Sequence, residues 1–215
     1  MTGEDTEGIT MAGGLAVSQS VGVGWADVIG QEARLVQRCA AGDEDASALL
    51  VAEHHRMVFS LASHLIRNRI EALDLTQEVF LQVFRTIHQF RGQSALRTWI
   101  TRITINQARN RLRWWRRRCQ NNQVSLDAHL QQSGDLALST DATPERVFAR
   151  DELAGRLRAA IDRLPFDQRT AIVLRELEGL SYQEIAASLG VAIGTVKSRL
   201  TRARQALRAE LRAFR

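Results

Sequence analysis

From Ile29 to Leu211 the apolar residues return mostly at three- and four-residue spacing, and no run alternates convincingly as a half-buried strand does. The pattern predicts helix after helix. Beyond a break at Gly42-Asp43, Ala46, Leu49 and Leu50, then Val58, Leu61 and Leu65, build one long apolar face. Asp74 is expected to cap the next helix, which reaches Ile87 with Leu75, Val79, Phe80, Val83, Phe84 and Ile87 pointing inward. Helical spacing gathers Asp74, Gln77, Glu78, Leu81, Gln82 and Arg85 on the opposite side. Residues 90–95 break the period as a loop, and Leu96 opens a helix that continues to Arg118.

The last third reads the same way. Thr143-Pro144-Glu145 restarts helix with an N-cap and a proline in the first helical position, and Pro165 ends it. Phe166 to Glu176 makes another helix. Ser181 and Glu184 then form a Ser-x-x-Glu capping box, Ile185, Ala186 and Leu189 give an apolar face, and Gly190 supplies the left-handed stop. Val196, Leu200, Ala203 and Leu207 follow as one buried stripe, with Lys197, Ser198, Thr201, Arg202 and Gln205 opposite. A capped helix, a tight turn and a basic second helix make a helix-turn-helix, whose second helix enters the major groove. A hairpin with an idle basic face is the plainer reading, but cap, turn and charge all agree at motif spacing.

Composition adds the partner. The formal charge is +5 and Lys197 is the only lysine among 29 cationic residues. Six arginines fall within residues 109–118 and six within 199–215, two separate contacts for a polyanion. In the first block they interleave with Trp114 and Trp115, which suits a melted strand whose phosphates meet guanidinium groups while its bases stack. Trp99, by contrast, is read as core. No run of 18 apolar residues and no leader-like opening is present, so a cytoplasmic protein is expected rather than a membrane one. Cys39 and Cys119 stand alone, Cys39 as a buried thiol, and His54, His55 and His64 lack ligand partners at metal spacing. No nucleophile triad, phosphate loop or paired carboxylate appears. An enzyme, a metal, a cofactor and a small-molecule ligand are therefore not expected.

The expected organisation is all-α: two small helical domains joined by a flexible acidic linker. Residues 1–28, rich in Gly, Ser and Thr, are expected to be disordered, and Met11 is an alternative initiator. Residues 29–118 form the first domain and 144–215 the second. The linker, 119–143, carries Asp127, Asp135 and Asp141 and no Lys or Arg.

Asp74-Leu-Thr-Gln-Glu-Val-Phe80, the loop from Phe90 to Ala95, Trp99-Ile-Thr-Arg-Ile103, Asn106, Leu174 to Ile185 and Gly194-Thr-Val-Lys-Ser-Arg199 occur in this order. Over roughly residues 30–213 the chain resembles the extracytoplasmic-function (group IV) sigma factors of the sigma-70 family, with a sigma-E-like look. The resemblance implies a sigma-2-like first domain and a sigma-4-like second domain. It implies that Asp74, Gln77, Glu78, Leu81 and Gln82 bind core RNA polymerase, whose β′ and β subunits become partners. It assigns Phe90, Arg91, Gly92, Gln93, Ser94 and Ala95 to the loop that holds a flipped base of the −10 element. Such a pocket must return in stacking and hydrogen bonds what unstacking costs. Arg102, Asn106, Arg109 and Arg113 would hold the flanking melted strand, and Thr195, Lys197, Ser198, Arg199, Thr201 and Arg202 would read a GGAAC-like −35 duplex. Gln93 and Thr201 depart from the residues more usual at those positions.

The function so implied is promoter-specific initiation in an envelope or extracytoplasmic stress response. An anti-sigma factor, commonly membrane-bound in this family, would hold the protein inactive. A stand-alone helix-turn-helix regulator explains only residues 144–215, and a helical nucleic-acid enzyme lacks clustered catalytic groups.

Overall fold

The computed structural model describes residues 25–122 and 144–212. Every regular element among these residues is helical: α1 (Trp25–Ala40), α2 (Glu44–Ile66), α3 (Arg69–Thr86), a 3-10 turn (Ile87–Gln89), α4 (Leu96–Asn122), α5 (Pro144–Arg163), α6 (Phe166–Glu176), α7 (Tyr182–Leu189) and α8 (Ile193–Arg212). The first helix thus starts within the segment expected to be disordered, and α4 runs four residues beyond its expected end. The rest of the N-terminal segment and linker residues 123–143 lie outside the described residues.

Local chemistry explains where the helices begin and end. Asp43 caps α2 by accepting from the Ala46 amide at 2.9 Å. Arg67 closes α2 in the left-handed region, φ 67°, an unusual cost for a residue with a Cβ. Asn68, not Asp74, caps α3, accepting from the Glu71 amide at 3.1 Å. Asp74 is therefore a mid-helix surface residue. The helix signal at residues 69–73 was hidden because Ile70 and Leu73 are exposed and break the inward pattern.

The first domain packs α2, α3 and α4 against one another, with α1 laid over α2 and the 3-10 turn. Leu50, Leu61, Leu65, Leu75 and Ile100 are fully buried at its centre, each contributing roughly 1.5–3 kcal/mol by transfer from water. Leu49 departs from the expected apolar face, being 55% exposed. In α4 the inner stripe includes Thr98, Thr101 and Thr104, and the Thr104 hydroxyl donates to the Ile100 carbonyl at 3.0 Å. Backbone bonding of that kind lets a threonine face a core. The second domain wraps α5, α6 and α7 around α8, burying Ile172, Leu174, Ile185 and Leu200.

The two domains are not beads on a string. Their buried residues join into one apolar cluster, α2 packing on α6 and α4 on α7.

Candidate nucleic-acid and polymerase interfaces

The helix-turn-helix is built as its residues dictate. Ser181 accepts from the Glu184 amide at 3.2 Å, and the Glu184 carboxylate accepts from the Ser181 amide at 2.7 Å. These bonds hold the Glu184 carboxyl below its ordinary range, with the Ser181 side chain the main cause. Gly190 ends α7 at φ 64°. Val196, Leu200 and Ala203 seat α8 on the core, leaving Lys197, Ser198, Thr201 and Arg202 exposed and Thr195 half-buried. The Ser198 and Thr201 hydroxyls donate to the Thr195 and Lys197 carbonyls at 2.9 and 3.0 Å. Arg199 differs: its side chain is largely covered and donates to Asp167 Oδ2 at 2.9 Å.

Along α4, Arg102, Asn106 and Arg113 are exposed, Trp114 is 48% exposed, and Trp115 packs partly on the core. The Arg118 guanidinium sits 5.1 Å from the Trp114 ring centre. In the preceding loop Arg91, Gly92, Gln93 and Ala95 are exposed and Ser94 is half-buried. Phe90 instead turns in, its ring centre 5.4 Å from that of Trp99 at a tilt of 55°. That contact anchors the loop to α4.

On α3 the residues Asp74, Gln77, Glu78 and Leu81 are exposed and Gln82 is half-buried. Glu78 is not idle. Arg111 of α4 reaches back to pair with both Glu71 and Glu78, tying the polar face of α3 to the arginine rod. Ile70, Leu73 and Leu81 stand exposed on α3, an apolar component the charge pattern concealed.

Four arginines of the first domain meet the second. Arg67 Nε lies 3.5 Å from Asp162 Oδ1, and the almost buried Arg169 shares that carboxylate at 3.8 Å. Burial, then the nearby Arg67 charge, brings the Arg169 guanidinium down to about 10. Burial also pushes the Asp162 carboxyl up, against the pull of Arg67 and Arg169. Arg97 donates to the Glu178 carbonyl at 3.0 Å and to its carboxylate at 3.3 Å, while the Ser60 hydroxyl donates to the other carboxylate oxygen at 2.9 Å. Arg109 donates to Asp167 Oδ1 at 3.1 Å and lies over the Phe166 ring. Arg102 Nη2 borders the helix-turn-helix turn, 3.9 Å from where a Cβ on Gly190 would stand.

Family models match this architecture. Sigma-70 region 2 matches residues 50–118 and sigma-70 region 4 matches residues 154–207. The RNA polymerase sigma-H factor of Pseudomonas aeruginosa is 40% identical over 177 residues, 82% of this chain and 92% of that protein. The chain belongs to the extracytoplasmic-function sigma factors of the sigma-70 family. The ECF RNA polymerase sigma-E factor of Escherichia coli K12 is 41% identical over 174 residues, 80% of this chain and 90% of that protein. Among solved structures, the sigma factor RpoE of Bartonella quintana in complex with the anti-sigma factor NepR aligns with a TM-score of 0.62 and 26% identity, covering 78% of this chain and 98% of that one. CnrH in complex with the cytosolic domain of CnrY aligns with a TM-score of 0.61 and 25% identity, covering 85% and 97%.

As a sigma factor, this chain binds core RNA polymerase and directs promoter-specific transcription initiation. Sigma factors are initiation factors rather than enzymes. Among the described residues no group of His, Cys, Asp or Glu is arranged to hold a metal, and no helix is long and apolar enough to cross a membrane. Cys39 is a free, buried thiol whose pKa burial raises. Sequence reasoning missed the acidic residues of the sigma factor's second domain, Asp162, Asp167 and Glu178. Asp167 lies in the first turn of α6, where any acid is favoured by the helix dipole, so nothing local marked it as a partner of distant arginines.

Proposed function

We propose that this sigma factor recognises promoters with two surfaces and docks on polymerase with a third. The exposed face of α3, with Asp74, Gln77, Glu78, Leu81 and Gln82, takes the clamp helices of the β′ subunit. The loop Phe90–Ala95 holds one flipped −10 base, and Arg102, Asn106, Arg109 and Arg113 carry the melted strand onward along α4. Thr195, Lys197, Ser198, Arg199, Thr201 and Arg202 read the −35 duplex, a good Arg–guanine pair giving about 1–3 kcal/mol of discrimination. The observation that carries this reading is the pairing, in one chain, of a helix-turn-helix with an arginine- and tryptophan-bearing helix next to an exposed polar loop.

An anti-sigma factor controls the protein, as the complexes of the two similar structures suggest, and a membrane-bound one would tie the response to the envelope. A protein that acts with core polymerase would act in the cytoplasm. A stand-alone helix-turn-helix regulator would have no use for the loop and the arginine rod. Run-off transcription with added core polymerase tests the reading: initiation from defined start sites is expected, and activity of the protein on DNA without core would overturn it.

A further inference from the structure

Arg111 sits inside the first arginine block but is engaged differently from its neighbours. Arg113, Arg116, Arg117 and Arg118 are exposed, whereas the Arg111 side chain is only 17% exposed. It crosses from α4 to α3. Its Nη1 donates to Glu71 Oε2 and its Nη2 to Glu78 Oε1, so one planar fork spans two carboxylates that lie about two helical turns apart. The Glu78 side chain is 49% exposed, and its second oxygen has no partner among the described residues. Glu71, Asp74 and Glu78 line a cleft of about 550 Å³ between α3 and α4, against Arg111 and Arg117.

We infer that Arg111 is a positioning residue for polymerase docking: it fixes the Glu78 carboxylate on the exposed face of α3 and takes no phosphate itself. The inference rests on the reading of that face as the site for the clamp helices. A glutamate on an open helix surface samples many rotamers, and a partner that binds it must first order it. Arg111 has already ordered Glu78 and leaves one carboxylate oxygen for the partner.

Charge balance agrees. Two carboxylates against one guanidinium keep this part of α3 negative, so the pairing does not erase its attraction for a cationic partner. Partly exposed ion pairs add little to stability, so upkeep of the fold does not account for the arrangement. Nor can Arg111 serve DNA at the same time. Swinging it outward would break both charge-assisted bonds and leave Glu71 and Glu78 without their shared partner.

The affinity of the full-length protein for core RNA polymerase, measured without DNA, tests the assignment. Arg111→Gln should weaken it about fivefold, equivalent to about 1 kcal/mol. The effect should vanish in a Glu78→Gln background, because the two residues act through one contact. Glu71→Gln, which loosens Arg111 but leaves Glu78 in place, should weaken core binding in the same direction and show the same dependence on Glu78. Circular dichroism confirms that each variant is folded. In salt titrations of the holoenzyme on a promoter, Arg113→Gln should reduce the slope of log affinity against log salt by about 0.7–0.9, the share of one phosphate contact. Arg111→Gln should leave that slope at the wild-type value. Equal losses in both backgrounds, unchanged or tighter core binding, or a reduced slope in Arg111→Gln would each overturn the inference. Asp74→Lys separates it from the docking reading. Retained core binding by that variant refutes the docking face and the inference with it, whereas lost binding beside an unaltered Arg111→Gln affinity refutes only the role of Arg111.

Discussion

Asp74 and Glu78 stand one turn apart on α3 yet differ in what they are free to do. Glu78 is held by Arg111, whereas Asp74 is an exposed mid-helix carboxylate. Asp74→Lys is therefore expected to abolish co-purification with core polymerase while changing stability by no more than about 0.5 kcal/mol, as surface substitutions do. Pull-down and urea unfolding read the two effects, and retained core binding would refute the docking face. Buried His54 makes a different prediction. Burial depresses its pKa, against Glu53 and Glu32 and with help from Arg97. The unfolded imidazole takes up its proton first as pH falls, so the contribution of neutral His54 is present above the ordinary value of about 6.5 and lost as pH drops through the depressed one. The urea midpoint should fall below that pH, and His54→Leu should flatten the fall. A wild-type slope in the variant would show that another group titrates.

The element proposed to read DNA is α8, and its placement depends on the short α7 that precedes it. With eight residues, α7 is too short to be stable alone and relies on its capping box and Gly190. Ser181→Ala should cost about 1 kcal/mol, measured by urea unfolding, and an unchanged midpoint would mean that packing alone fixes the turn. The Glu184 half of the box works above the ordinary carboxylate range and is lost as pH falls through its lowered value. Capping and turn chemistry are local, which is why α7, the turn and the buried stripe of α8 could be read directly from residues. The start of α3 carries a cap signal too, Asn68 with Glu71 three residues on, but exposed Ile70 and Leu73 break the apolar period there and mask the boundary. Likewise the threonines of α4 gave no apolar signal, although the Thr104 hydroxyl is satisfied within the helix and that of Thr101 donates to Met57 Sδ on α2.

For the whole molecule, Arg202 and Asp74 lie in different domains and should act independently. Arg202→Ala is expected to weaken dependence on the −35 element in run-off transcription severalfold, with core binding retained, and unfolding of the second domain would show Arg202 to be structural instead. The sequence by itself determined the helical class, the helix-turn-helix, the exposed polar face of α3 and the arginine rod, since each follows from spacing, capping or charge within a few residues. Membership of the family followed from those motifs in order. Only the tertiary structure decided that Phe90 is anchored on Trp99, that Glu78 answers Arg111, and that Asp167 holds arginines 58 residues upstream and 32 downstream. Those pairings are choices among many chemically equivalent acids and arginines. No local preference distinguishes one surface carboxylate from another, so the selection is made by how the apolar faces of α2 and α4 bring the two domains together. The helix-turn-helix was legible as a local motif, and the packing around it set one of its arginines, Arg199, against Asp167.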